Sequence, residues 1–74
     1  MGKIEELFGE AVRNRRLKLG LSQEGFAAKA GIHRTYVSSI ELGKVGISIS
    51  IAQKLAAALG LPLSKLLQDV ERRQ

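Results

Sequence analysis

Apolar residues fall along this chain at helical spacing, in blocks closed by glycine. The first block predicts a helix over about 4–19, with Ile4, Leu7, Phe8, Ala11, Val12 and Leu19 on one stripe and basic residues on the other side. Ser22 suits the cap of a short second helix reaching Ala30, in which Phe26, Ala27 and Ala30 recur at core spacing. Gly31 ends it, and a third helix follows almost at once over about 33–42, with Tyr36 or Val37 and Ile40 turned inward. In the next stretch, Ile47, Ile49 and Ile51 alternate as a strand would, but no partner strand exists elsewhere, so a loop through Ser48 is expected. A fourth helix over about 49–59 carries Ile51, Leu55, Ala58 and Leu59. The fifth starts at Pro62, which tolerates a first-turn position, and runs through Leu63, Leu66, Leu67 and Val70 before a fraying polar end. The expected fold is all-α, five helices in one domain spanning 1–74.

Seventy-four residues supply a core near the lower limit of self-sufficiency. With no cysteine and one histidine, neither disulfides nor a zinc cluster can brace it, and no metal or cofactor site is expected. The sequence shows no secretory signal and no membrane-length apolar run, which reads as cytoplasmic. No histidine–acid pair in sequence context and no glycine-rich phosphate loop speaks for an enzyme or a small-molecule ligand.

Charge placement adds a direction. The net charge is +5, and the segment 13–44 holds seven basic residues against two acidic ones, so the whole excess lies there. A solvated face could carry such a run, but a concentrated positive patch attracts a polyanion and favours nucleic acid as partner.

Within that segment, residues 23–42 meet the requirements of two helices crossing steeply. Ala27 stands where they approach, Gly31 where the turn needs a positive φ, and Ile32, Val37 and Ile40 where the corner is filled from the other side. An ordinary helical hairpin would share some of this spacing but would not need the basic character.

The chain here resembles the lambda-repressor-like helix-turn-helix family, which includes Cro and many phage and bacterial repressors. The resemblance starts at Phe8-Gly9 and runs through Val12, Arg16, Leu21-Ser22-Gln23, Ala27, Gly31, Ile40-Glu41 and Gly43 to Leu55-Ala56, Ala58 and Leu59-Gly60. It implies a third helix in the major groove of double-stranded DNA and a second helix across the backbone. It also implies an ion pair between Arg16 and Glu41, since an unpaired guanidinium beside the buried stripe would be costly. The alternative is an exposed arginine and an unrelated helix-end glutamate.

Base reading is expected of Arg34, Thr35, Tyr36 and Ser39, with Gln23 counted among the readers. Arg34 can engage guanine O6 and N7, and the Thr35 methyl can pack on a thymine methyl. Tyr36 either lies along the sugar-phosphate or covers the core. Ser22, His33 and Lys44 are the phosphate candidates, Ser22 and Gln23 meeting the backbone at the start of the second helix. Two features depart from the family: Gly25 replaces a helix former and removes a capping box, and Val45-Gly46-Ile47 replaces a more polar loop.

The stretch His33-Arg34-Thr35-Tyr36-Val37-Ser38 is similar to the recognition helix of controller proteins from restriction–modification systems, which implies a homodimer at paired operators timing a restriction gene. A phage or chromosomal repressor would share these features. An antitoxin-type interaction module on the same fold is the alternative of a different class. Because one recognition helix reads few base pairs, a dimer is expected, with Ile47, Ile49, Leu63, Leu66, Leu67 and Val70 as interface candidates and burial within the monomer as their other use.

Overall fold

The computed structural model describes residues 2–74, and among them the chain forms five helices and no strand. They are α1 (Lys3–Lys18), α2 (Gln23–Ala30), α3 (Arg34–Glu41), α4 (Ile49–Ala58) and α5 (Leu63–Arg72). Side chains cap three of them. Ser22 Oγ accepts from the Gly25 amide, His33 Nδ1 from the Thr35 amide, and Ser48 Oγ from the Ile51 amide. The loop from Gly43 to Ser48 therefore ends where a serine can begin a helix, and the alternating isoleucines after it are wound into α4.

The helices close around one core. α1 packs on α3 and α5, α2 on α3 and α4, and α4 on α5. Phe26, Leu55, Leu59, Leu66, Val12, Val37 and Val70 are its largest fully buried side chains, so every helix contributes to it. The close approach of α1 to α3 rests on Gly9: a Cβ there would lie 2.6 Å from the Glu41 carbonyl oxygen and nearer still to that of Ile40. These are backbone atoms that cannot swing away.

Four expectations are corrected. Ile4 and Leu19 share the periodic stripe of α1 but are exposed, because they lie at its two ends, beyond the packed middle. Arg15, one of the basic residues on the side of α1 away from the stripe, is half-buried, its Nε donating to the Leu59 carbonyl at 3.3 Å. Pro62 is the cap of α5 and not its first-turn residue, with an extended ψ of 149°. The polar end does not fray at Val70. α5 continues to Arg72, with Arg73 as its cap, and the Arg73 guanidinium reaches Asp69 at 3.3 Å and Glu10 of α1 at 3.7 Å.

Two interface candidates also change role. Leu66 and Val70 are 0% and 1% exposed within the monomer, where they complete the core between α1, α4 and α5. They have no surface left for a partner. No helix among the described residues is long and apolar enough to cross a membrane.

Candidate nucleic-acid interface

The connection between α2 and α3 is three residues long, Gly31, Ile32 and His33. Gly31 adopts φ 72° and ψ 33°, a left-handed conformation that costs a residue with a Cβ about 1–2 kcal/mol. Its amide donates to the Ala28 carbonyl and the Ile32 amide to the Ala27 carbonyl, closing the last turn of α2. Ile32 then packs half-buried against the core, and Ala27, 3% exposed, keeps the crossing tight. The outcome is a short turn that sends α3 off with its first residues in solvent.

Arg16 locks that arrangement from behind. Its Nε and Nη2 donate to Glu41 Oε2 and Oε1 at 2.7 and 3.0 Å, while Nη1 donates to the Leu21 carbonyl at 2.8 Å. Gln23 Nε2 adds a bond to Glu41 Oε1 at 3.1 Å. The two charged side chains are 8% and 2% exposed. One guanidinium and one carboxylate thus join α1, the loop before α2, the first residue of α2 and the end of α3. Fork-on-fork pairing with extra hydrogen bonds offsets the large desolvation cost of burying both charges.

The bond from Gln23 was not legible in the sequence. Its amide was expected to face DNA, yet one N–H is held by Glu41. Two residues at such a separation show no local signal, although a polar residue opening α2 beside a buried carboxylate is compatible with one.

At the other end of α3, His33, Arg34 and Thr35 are exposed, as is Lys44 in the following loop. Neither Arg34 nor Lys44 has an ion-pair partner among the described residues. Tyr36, Ser38 and Ser39 are half-buried, while Val37 and Ile40 face the core. Tyr36 packs against the core edge and still reaches solvent, so both of its expected uses remain open to it. The free backbone donors at the start of α2, the exposed Ser22 and the cationic start of α3 together form a surface suited to phosphates and base edges. Within the segment 13–44, Arg16 is spent internally, and the remaining positive charge is on exposed or half-exposed side chains.

A second surface is apolar. Ile4, Phe8, Val45, Ile47, Ile49 and Leu67 line an open groove of about 270 Å³ between α1, the loop before α4 and α5. Ile49 is 77% exposed and Leu67 40%.

Comparison with known proteins places these observations. A helix-turn-helix family model matches residues 12–66. The control protein C.MunI of Mycoplasma sp is 44% identical over 73 residues, covering 97% of this chain and 99% of that protein. The control protein C.BamHI of Bacillus amyloliquefaciens is 43% identical over 65 residues, covering 86% of this chain and 80% of that one. Among solved structures, the restriction-modification controller protein C.AhdI from Aeromonas hydrophila matches with a TM-score of 0.81 at 37% identity, over 84% of this chain and 94% of that one.

Proposed function

The chain belongs to the helix-turn-helix family, and from that premise we propose that it is a sequence-specific double-stranded-DNA-binding transcription regulator, a controller of a restriction–modification system. The observation that carries this reading is the exposed, unpaired start of α3, held rigidly by the Arg16–Glu41 pair at its other end. A helix presented in this way can enter the major groove with Arg34 and Thr35 leading, while α2 crosses the backbone. Arg34 reads guanine O6 and N7, and Ser39 and the Tyr36 edge complete the base-facing side. Ser22, His33 and Lys44 hold phosphates, and Gln23 uses the oxygen and second N–H that Glu41 leaves free. The function is binding without chemical change to the DNA, by a single unit spanning the chain, in the cytoplasm.

The regulator acts as a homodimer. A monomer gains nothing from Ile49 and Leu67 in solvent, whereas a two-fold axis beside the groove would cover them together with Ile47 and Leu63. Two copies of α3 would then read half-sites about 34 Å apart on one face of a near-palindromic operator. The same apolar groove favours, as a second reading, a different protein seated there in the manner of an antitoxin module.

Selection of binding sites from random duplex DNA tests the main reading. A shared, roughly two-fold-symmetric sequence is expected. On that site, Arg34→Ala should cost about 1–3 kcal/mol and relax preference at one or two base pairs per half-site, whereas Lys44→Ala should weaken all sequences alike. Equal loss on specific and random DNA for Arg34→Ala would remove it from the base readers.

A further inference from the structure

His33 is more than a helix cap, and the reason lies in which atoms own protons. Its Nδ1 is 3.2 Å from the backbone nitrogen of Thr35 and 2.8 Å from Thr35 Oγ1. A backbone amide can only donate, so Nδ1 must present its lone pair, and the proton of the neutral ring sits on Nε2. Thr35 Oγ1 faces that same lone pair. Two lone pairs at 2.8 Å would repel, so the hydroxyl turns its single proton towards the ring. What Thr35 then offers to the outside is a methyl group and acceptor lone pairs, with no donor.

An unconstrained threonine hydroxyl serves either base-edge polarity, because it rotates to donate or to accept. We propose that His33 removes this ambiguity: by holding the Thr35 proton it acts as a positioning residue that makes Thr35 an acceptor-only reader and excludes guanine from the base it faces. The proposal rests on the reading of α3 as the major-groove helix. In that groove adenine N6 and cytosine N4 donate and thymine offers a methyl, whereas guanine presents only the acceptors N7 and O6. Thr35 can therefore accept from adenine or cytosine, or pack its methyl on thymine. Against guanine it sets lone pair to lone pair, a polar contact with no hydrogen in it.

The test is competition binding to the selected operator with all four bases placed at each position, for the unaltered protein, Thr35→Val, His33→Ala and His33→Asn, with helicity checked by circular dichroism. Thr35→Val marks the base pair that Thr35 faces. There the unaltered protein should disfavour guanine by about fivefold or more, the lower end of the cost of a mismatched pair. His33→Ala should bring that penalty within about twofold while preferences elsewhere persist, and should change nothing at this pair when added to Thr35→Val. His33→Asn, whose Oδ1 accepts where Nδ1 did, should restore the penalty. A uniform loss of affinity in His33→Ala with the guanine penalty intact makes His33 a cap alone and overturns the proposal while leaving the base-reading role of Thr35 standing. An unaltered protein indifferent to guanine at that pair overturns it equally. If Thr35→Val alters no preference, Thr35 is not a reader, and the proposal falls with that assignment.

Discussion

Replacing Arg16 by alanine would leave the Glu41 carboxylate buried with Gln23 as its remaining side-chain donor. Stranding one partner of a buried pair costs about 3–5 kcal/mol, so Arg16→Ala should lower the urea midpoint severely and carry DNA binding down with it. Its neighbours on α1 provide a graded control. Arg13 is exposed, and Arg13→Ala should stay within about 0.5 kcal/mol of the parent. Arg15→Ala forfeits the bond to the Leu59 carbonyl and should fall between them, at about 0.5–1.5 kcal/mol. If denaturation shows Arg16→Ala no worse than Arg13→Ala, the pair does not hold the fold. Arg16 and Glu41 were readable only together, as two positions of a family pattern. Arg16 stands one turn after Val12, beside the buried stripe, which sets it apart from Arg13 and Arg15, but nothing near Glu41 in sequence marks it as the partner.

Glycine at position 9 has the same lesson at the scale of elements, where α1 and α3 meet. Gly9→Ala puts a methyl against two carbonyl oxygens of α3, and relief requires one helix to move off the other. The cost is about 1–3 kcal/mol, an overpacking effect that outweighs the gain of about 1 kcal/mol from better helix propensity. A thermal melt should show a drop of several degrees, and a rise would mean that α1 has room to spare. Helix identity and the short turn after α2 were legible because serine caps, glycine stops and 3.6-residue spacing all act locally. What periodicity could not give was depth. Ile4 and Leu19 fit the stripe of α1 but overhang the core, and α5 persists past Val70 because Arg73 finds Asp69 and the distant Glu10. Such partners are set by tertiary approach, which the spacing of one segment does not encode.

For the whole molecule, the decisive question is how the leucines of α5 are divided. The core takes Leu66 and Val70, and the groove keeps Leu67 with Ile49, so the face available to a second copy is narrower than the apolar content of α5 suggests. Placing a charge on that face should separate the subunits of the proposed dimer without touching the monomer core. Leu67→Asp and Ile49→Asp should each sediment as folded monomers at micromolar concentration and bind the selected operator far more weakly, while keeping helicity. A dimer that survives both substitutions would move the interface elsewhere. A monomer in the parent protein that stays monomeric on its operator would remove the dimer and the palindrome together. The sequence named both groups of residues without separating them, because α5 buries two of its four apolar side chains against helices far away in the chain.

The Arg16–Glu41 pair also gives α3 the mechanics of a cantilever, clamped at Glu41, with Arg34 exposed at its far end. Loads on the clamp are borne by the interior, but the free tip bears none of the fold's weight. On the proposed reading, substitutions at Arg34 and Thr35 can accordingly alter what is read without a compensating change in the interior. A lineage of such regulators can drift from one operator to another, tip residue by tip residue, while its scaffold stays as it is.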